Sequence, residues 1–144
     1  MKKRDYRFFE FARRQAEKSD FEGVCLGAVV AYKGHIIGQG FNSVKSDPKK
    51  KKANRYRKFY NHGPRPINHS IHAEISAIKS IPYPLQQSID WSKVSIYVYR
   101  ICKGKSLGIG LARPCAACLS VIKKKGIQKI FYTTDTGFAY EKIF

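Results

Sequence analysis

Two short stretches constrain this chain more than any other feature. They read His-Ala-Glu at residues 72–74 and Pro-Cys-Ala-Ala-Cys at residues 114–118. Zinc prefers nitrogen and sulfur ligands in a tetrahedral site, and a catalytic zinc keeps its fourth position open for water. The pattern therefore predicts one zinc ion per chain, bound by His72, Cys115 and Cys118. Glu74 stands two residues beyond the histidine, where its carboxylate can reach that water without binding the metal.

The cysteine pair is also compatible with a site that is not catalytic. A Cys-x-x-Cys pair alone more often marks a structural zinc knuckle or a redox pair, and a structural zinc normally has four protein ligands. Cys25 and Cys102 are candidates for a fourth ligand, but both stand in apolar, strand-like runs, where a small buried thiol is the ordinary reading. His62 and His69 lack the spacing of the motif, so we interpret them as loop residues. The number of ligands favours a catalytic site with an open position.

The length and composition of the chain indicate a single globular domain. Its 144 residues are enough for a hydrophobic core, and a hydrophobic content of 43% is typical of globular proteins. Four cysteines, two of them assigned to metal, do not make a disulfide framework, so we expect an intracellular, cytoplasmic protein. The longest apolar run, from Val24 to Tyr32, is too short to span a bilayer and predicts a buried strand.

The charge of the chain is unusual, because 28 basic residues against 10 acidic residues give a formal net charge of +18. Between Asp47 and Asp135 the only acidic residues are Glu74 and Asp90, so the basic excess surrounds the two motifs. Such an excess suggests a polyanionic partner. The alternative is that the lysines form an ordinary solvated surface.

A basic insertion at about residues 46–66 interrupts the pattern of helices and strands. Long connections inside compact domains are usually functional or disordered. A groove for single-stranded nucleic acid needs cations for phosphates and aromatic rings for bases, and the insertion has both. The candidate nucleic-acid contacts, which include one arginine before the second motif, are Lys49, Lys50, Lys51, Lys52, Arg55, Tyr56, Arg57, Lys58 and Arg113. A solvated loop without a ligand is the alternative, because a charge run alone is weak evidence.

Hydrophobic periodicity predicts the first half of the fold. An amphipathic helix spans residues 5–19 and carries Phe8, Phe11 and Ala12 on its apolar side. A hairpin follows over residues 23–41, with its turn at Lys33 and Gly34. We expect the aromatic side of the helix to pack on the sheet that this hairpin begins.

The second half of the chain alternates helices and strands. The first motif opens a helix predicted at 70–81 with Ser70 as its cap, and the second motif opens a short helix at Pro114. The last two strands, at 127–134 and 138–144, are separated by only three residues. Because a parallel crossover needs about a dozen residues, these two strands are predicted to form an antiparallel hairpin.

Along nearly the whole chain, this order of elements and the two motifs resemble the cytidine deaminase superfamily, since H-x-E followed by P-C-x-x-C is the signature of zinc deaminases. The resemblance implies an α/β three-layer fold, with a five-stranded mixed sheet, helices on both faces and an antiparallel hairpin at the end. That ending is similar to the branch of free cytidine deaminases, blasticidin deaminases and many bacterial toxin deaminases. The branch with tRNA adenosine deaminases has a helix before a parallel last strand.

The resemblance also implies roles for individual residues. His72, Cys115 and Cys118 bind zinc in such enzymes, and Glu74 transfers protons while cytosine becomes uracil and ammonia is released. Asn42 matches in position the family asparagine that binds the base or the sugar. The substrate-binding residues implied in this way are Asn42, Ala73 and Pro114.

We therefore expect a zinc-dependent cytosine deaminase whose substrate is a polynucleotide, either single-stranded DNA or RNA. A deaminase of free cytidine, deoxycytidine or a nucleotide is the alternative, and a zinc module that binds nucleic acid without turnover is a third possibility. The intact Glu74 argues against that module, because metal binding alone does not need the carboxylate. No membrane partner is expected, and the sequence leaves the oligomeric state open.

Overall fold

The computed structural model describes residues 1–20, 23–46, 70–102 and 109–143. The helices are α1 (Lys3–Glu17), α2 (Ala73–Lys79), α3 (Tyr83–Ser88) and α4 (Ala116–Lys125), with a short 3-10 turn at Trp91–Lys93. The strands are β1 (Val24–Tyr32), β2 (His35–Phe41), β3 (Ser43–Ser46), β4 (Ser70–Ile71), β5 (Val94–Cys102), β6 (Lys129–Thr133) and β7 (Phe138–Lys142).

Five of these strands form one mixed sheet in the order β2-β1-β5-β6-β7. The pair β5/β6 is parallel, and α4 lies in the crossover between these two strands. The other three pairs are antiparallel, including the terminal hairpin of β6 and β7, in which Phe131 stands opposite Tyr140. Strands β3 and β4 pair separately in a small antiparallel sheet. The predicted mixed sheet and its antiparallel ending are confirmed.

Helix α1 covers one face of the sheet. Phe8, Phe9 and Ala12 are buried there against side chains of β1, β5 and β6, among them Tyr97 and Phe131. The structure corrects one expectation, because Phe11 is exposed while Phe9 is buried. With 3.6 residues per turn, Phe9 lies on the same stripe as Ala12, and Phe11 falls outside it.

Helices α2 and α4 cover the opposite face. Their buried side chains, including Ala77, Ile78 and Ile122, pack on Val30 and Val98 of the central strands. Successive residues of a strand point to opposite faces, so the central strands, apolar at nearly every position, can serve two helical layers at once. The sheet with helices on both faces is therefore a three-layer α/β fold.

The helix that carries the first motif is shorter than its apolar pattern predicts. It begins at Ala73, with His72 as its N-cap, whereas Ser70 belongs to strand β4 and is not the cap. It ends at Lys79, and a separate helix, α3, begins one residue after Pro82. Proline is favoured near a helix start, so Pro82 and Pro84, which follow α2 in the sequence, favour the start of the next helix.

Strand β2 brings α2 close to the sheet because two of its residues have no side chain. A Cβ atom on Gly40 would lie 2.6 Å from the backbone nitrogen of Ala77, and one on Gly38 would lie 2.4 Å from the carbonyl oxygen of Ala77. Any larger residue at either position would push the helix outward. The glycines of β2 thus determine how deeply the helix that carries the first motif sits on the sheet.

Within the described ranges of the chain, no helix combines the length and the apolar character that crossing a membrane requires.

Candidate metal centre

The first motif lies at the N-terminal end of α2. His72 is the N-cap residue with extended backbone, and its carbonyl oxygen accepts the first hydrogen bond of the helix from the Ser76 N–H. Glu74 follows in the first helical turn. The local geometry therefore separates the two side chains, with the imidazole just outside the helix and the carboxylate inside its first turn.

The second motif lies at the N-terminal end of α4. Cys115 is the N-cap residue of this helix, and Cys118 is completely buried in its first turn. Pro114 precedes the cap, so the helix begins slightly later than predicted. Unpaired N–H groups and the helix dipole at this end favour thiolate over thiol. Both cysteines therefore stand where the anionic form that binds metal is stabilised.

The fold brings the three predicted ligands together. The ligand atoms of His72, Cys115 and Cys118 all lie within 4.8 Å of one another, and this is the only such cluster found in the described part of the chain. The Nδ1 atom of His72 lies 3.3 Å from the Sγ atom of Cys118 and 3.7 Å from that of Cys115.

These distances fit a zinc ion. Zn–N bonds of about 2.0–2.1 Å and Zn–S bonds of about 2.3 Å, arranged tetrahedrally, separate nitrogen and sulfur by about 3.6 Å. The two measured separations lie on either side of that value. Cys25, an alternative fourth ligand, is buried on β1 and is not part of the cluster. The geometry is compatible with one zinc ion held by three protein ligands.

Glu74 is a buried carboxyl group beside this cluster. Its side chain is 3% exposed, and its Oε1 atom has no hydrogen-bond partner among the described residues. Burial raises the pKa of the Glu74 carboxyl, while the charge of His72 acts in the opposite direction. Leaving a buried acceptor unpaired costs about 1–3 kcal/mol. A residue kept at that cost, with a raised pKa, suits proton transfer to and from a reacting group.

Asn42, the proposed base or sugar contact, follows β2 and is 5% exposed. Its Oδ1 atom accepts hydrogen bonds from the Ser19 hydroxyl at 2.5 Å and from the Leu26 N–H at 2.9 Å. Its Nδ2 atom donates to the Val24 carbonyl at 3.1 Å. A primary amide has two N–H donors, so one N–H of Asn42 is left over for another partner. The main role of this side chain in the structure is to link Ser19, Val24 and Leu26 by hydrogen bonds.

Ala73 and Pro114, the other proposed substrate contacts, are both buried beside the metal ligands. Ala73 is the first residue of α2, so its backbone N–H is one of those that a helix start leaves without an intrahelical partner. Pro114 has no backbone N–H and offers only its carbonyl oxygen. One donor and one acceptor of the backbone therefore flank the cluster.

Arg113 is already ion-paired in the structure. Its Nε and Nη2 atoms each donate at 2.9 Å to the carboxylate of Glu141 on β7. The Tyr132 hydroxyl donates to the same carboxylate at 3.2 Å. The hydrogen bonds from Arg113 lower the pKa of Glu141. The other proposed nucleic-acid contacts, from Lys49 to Lys58, lie outside the described residues.

The structure adds Arg100 to the residues that shape the site. Its Nη1 atom donates to the Leu111 carbonyl at 3.2 Å, and its backbone N–H donates to the Thr133 hydroxyl at 3.1 Å. That hydroxyl donates to the Gly110 carbonyl at 2.7 Å. Arg100 and Thr133 thus hold the segment that leads to Pro114. No local sequence pattern predicts this role, because the bonded residues are 11 to 33 positions apart in the chain.

Comparison with known proteins supports the assignment of the site. The family described as "Cytidine and deoxycytidylate deaminase zinc-binding region" matches residues 2–134, which include both motifs. No match was found among curated protein sequences.

Several solved structures share the fold. The cytidine deaminase from Burkholderia pseudomallei is similar with a TM-score of 0.58 and 17% identity, over 99% of this chain and 94% of that chain. The dCMP deaminase from the cyanophage S-TIM5 is similar with a TM-score of 0.54 and 17% identity, over 94% of this chain and 87% of that chain. A structure from work on A-to-I editing by tRNA:A34 deaminases has a TM-score of 0.50 and 19% identity, over 90% and 75% of the two chains.

Proposed function

Because the chain belongs to the family with the cytidine and deoxycytidylate deaminase zinc-binding region, we propose that it is a hydrolytic deaminase that converts cytosine to uracil in single-stranded DNA or RNA. The observation that carries this proposal is the cluster of His72, Cys115 and Cys118 beside the buried Oε1 atom of Glu74, which has no hydrogen-bond partner in the described part of the chain. A structural zinc site has no use for such a carboxyl group.

The reaction replaces the amino group of cytosine with the oxygen of water. Zinc, when bound, supplies a water molecule whose pKa is lowered toward about 7. The oxygen of water bonds to C4, while Glu74 takes one proton from that water at its carboxylate and passes it to the ring nitrogen. Glu74 then carries the second proton of the water to the amine. The bond from C4 to the amino nitrogen breaks, ammonia leaves, and the oxygen remains on C4 as the carbonyl of uracil. The backbone groups of Ala73 and Pro114 are placed to bind the edge of the base.

The proposal of a polynucleotide substrate rests on charge. The formal net charge of +18 is far more than a small neutral substrate needs, and clustered cations are typical of proteins that bind nucleic acid. One observation favours a free nucleoside or nucleotide as the substrate instead. The fold is similar to those of a cytidine deaminase and a dCMP deaminase. The two candidates differ in substrate size, in products and in their dependence on the insertion, and each difference can be measured.

The first experiment tests catalysis. Glu74→Gln is expected to keep zinc and the fold, because the amide has nearly the same size, but to lose ammonia release by at least about 10²- to 10⁴-fold. Asp90→Asn is a matched acid-to-amide control at an exposed carboxylate outside the cluster. Near-normal turnover by the Glu74 variant would contradict the proposed mechanism.

The second experiment identifies the base. Purified protein is incubated with cytidine, deoxycytidylate, single-stranded DNA, duplex DNA and tRNA, and the products are identified by mass spectrometry. We expect uracil-containing products from the single-stranded polymers. Inosine without uracil would show that adenine is the substrate base.

The third experiment tests the insertion. Replacing Lys49, Lys50, Lys51 and Lys52 with Gln is expected to lower turnover of a cytosine-containing oligonucleotide and to leave turnover of cytidine unchanged. The double variant Lys123→Gln, Lys124→Gln removes exposed charge from the end of α4 and serves as the control. Free nucleotide turned over far faster than any oligonucleotide, with no effect of the four Gln substitutions, would support the small-molecule alternative.

A further inference from the structure

A second basic surface lies on the face of the sheet that carries α1, opposite the metal ligands. It is a cleft of about 460 Å³ between the N-terminal end of α1 and the strands β5, β6 and β7. We call it the α1 cleft, and the residues that matter here are Lys2, Arg4, Tyr97, Lys129, Phe131 and Tyr140. On β5 the cleft is lined by Ser95 and Tyr97, and the site-shaping Arg100 is three residues beyond Tyr97, a separation of about 10 Å along the strand.

Unpaired cations surround this cleft. Lys2, Arg4 and Lys129 line it, and Lys142 stands directly opposite Lys129 on the neighbouring strand. Residues in register on adjacent strands share one face of the sheet, and like charges in that arrangement repel each other. None of these four side chains forms an ion pair with any residue that the structure describes. Binding of one phosphate to each of Lys129 and Lys142 would offset their repulsion.

The basic surface continues beyond the cleft. A smaller adjoining cavity of about 130 Å³ shares Arg4 and Lys129 with it and adds Lys33 and Lys93. Two acidic groups of the described ranges are near. Asp5 is buried, and its carboxylate accepts hydrogen bonds from the Tyr97 hydroxyl and the Lys2 N–H. Asp90 lies at the far end, where Lys33 and Lys93 lower its pKa after the larger effect of its hydrogen bonds from Ser92. The cations still outnumber the acids.

Aromatic rings extend along the same face. Tyr97 and Phe131 stack at a centroid distance of 4.4 Å inside the cleft, and Tyr140 contacts Phe131 at 4.8 Å while remaining 47% exposed. Phe138, 38% exposed, and Tyr6, 49% exposed, continue the row with an edge-to-face contact. Tyr97 and Phe131 are themselves buried, so the rings with open faces are those of Tyr140, Phe138 and Tyr6. Open rings next to cations are what successive bases and phosphates of a single strand require.

We infer that the α1 cleft binds the backbone and bases of a single-stranded nucleic acid, away from the metal cluster. A second copy of this chain fits less well, because it would bring a further formal charge of +18 to a surface of uncompensated cations. That the bound strand is also the substrate rests on the proposed function. The cleft would then hold a part of the polymer distant from the reacting cytosine.

Binding to oligothymidylate of about 15 nucleotides tests the cleft separately from catalysis, because thymine has no amino group to remove. Fluorescence anisotropy gives the affinity over a series of salt concentrations. Each phosphate contact on a single strand contributes about 0.7 to the salt slope. The double variant Lys129→Gln, Lys142→Gln is therefore expected to lower that slope by about 1.4, and the control Lys123→Gln, Lys124→Gln is expected to leave it nearly unchanged.

A second pair of variants tests the rings. Tyr140→Ala is expected to weaken oligothymidylate binding about tenfold, the size of one lost base stack. Tyr83→Ala removes a tyrosine that is 72% exposed on α3 and is expected to have no effect. Equal changes for both lysine pairs and both tyrosines would overturn the inference, because they would indicate only a general effect of charge and surface.

Two further measurements distinguish nucleic-acid binding at the cleft from self-association and from catalysis. A dimer in sedimentation that becomes monomeric on Tyr140→Ala would overturn the inference in favour of self-association through this face. All four variants keep the metal cluster intact, so their turnover of cytidine reports on the proposed function alone. Oligothymidylate binding that responds as expected, with no deamination of any substrate, would support the cleft and reject the deaminase.

Discussion

The amide of Asn42 connects three parts of the chain that are remote in sequence. It joins the end of β2 to Ser19 after α1 and to Val24 and Leu26 at the start of β1. Each satisfied buried hydrogen bond contributes about 0.5–1.5 kcal/mol, and more is lost when a partner is left unpaired. The residue therefore stabilises the same end of the sheet that holds the proposed active site, whether or not it also contacts substrate.

The variant Asn42→Asp tests this structural role. The new carboxylate can still accept the two hydrogen bonds, but it cannot donate to the Val24 carbonyl. Its negatively charged oxygen would instead repel the carbonyl oxygen of Val24. We expect the free energy of unfolding in urea to fall by about 1–3 kcal/mol. Gln39→Glu, the same amide-to-acid change at an exposed residue of β2, is the control. Unchanged stability with a raised KM would mean that the amide serves substrate binding alone.

Tyr97 and Asp5 form a second buried polar pair, on the opposite face. The Tyr97 hydroxyl donates to the Asp5 carboxylate at 2.5 Å, and the tyrosine side chain is only 2% exposed. Burial, and secondarily the carboxylate of Asp5, raise the pKa of Tyr97 well above its ordinary value of 10.0. The folded state therefore retains this proton at pH values where the unfolded chain has lost it.

This pair predicts a specific loss of stability in alkali. Because the folded pKa is the higher one, the contribution of Tyr97 is fully present below the unfolded pKa of about 10 and is lost as pH rises above it. Tyr97→Phe should cost about 1–3 kcal/mol near neutral pH, and the difference from the unsubstituted protein should shrink above pH of about 10. Tyr83→Phe is the exposed control. If the difference in the free energy of unfolding stayed constant with pH, the folded protein would not be retaining the proton of the Tyr97 hydroxyl as proposed.

At the scale of the elements, the site depends on where two helices begin. His72 and Cys115 are the N-caps of α2 and α4, and Cys118 lies in the first turn of α4. The two helices are on the same face of the sheet, so their N-terminal ends meet although the motifs are far apart in sequence. Shifting either helix by one residue would rotate a ligand by about 100° and break the cluster.

Metal binding and folding are therefore expected to be coupled. His72→Ala and Cys115→Ala should each lose zinc, and the unfolding temperature should fall, because a ligand that binds only the folded state stabilises it. Metal analysis and thermal unfolding with and without a chelator measure both effects. Cys25→Ala removes a buried thiol outside the cluster and should retain one zinc per chain. Full zinc retention by both ligand variants would refute the assignment.

At the scale of the whole molecule, two basic regions are proposed to bind nucleic acid. The insertion precedes the first motif in the sequence, while the α1 cleft and its cations lie on the face of the sheet that carries α1. A polymer long enough to contact both would neutralise many cations at once. The number of phosphates contacted, more than any single residue, would then determine affinity.

Salt dependence reports on this distribution. We expect kcat/KM for a cytosine-containing single strand to fall by orders of magnitude between about 50 and 200 mM salt, because released counterions drive binding. For cytidine, which has no phosphate, kcat/KM should hardly change over that range. A parallel decline of both values would point to salt acting on the fold or on the metal centre.

The sequence alone was enough to predict the three residues of the metal cluster and the order of the main elements. Ligand types and short spacings are local properties, so His72, Cys115 and Cys118 could be identified without coordinates. The link before β7, predicted as three residues and four residues long in the structure, likewise determined the antiparallel ending, because no crossover fits in it. Helix boundaries were less accurate, since the apolar pattern of α2 continues past both of its ends.

The tertiary structure decided everything that depends on pairing across the sheet. Three of these contacts cannot be seen in the sequence, because their partners are far apart along the chain. They are the hydrogen bonds of Asn42, the ion pair of Arg113 with Glu141, and the hydrogen bond from Arg100 to the Leu111 carbonyl. The α1 cleft is of the same kind, because Lys129 and Lys142 become neighbours only through the register of β6 and β7. Local sequence determines which groups a chain carries, but register and packing determine which of them meet.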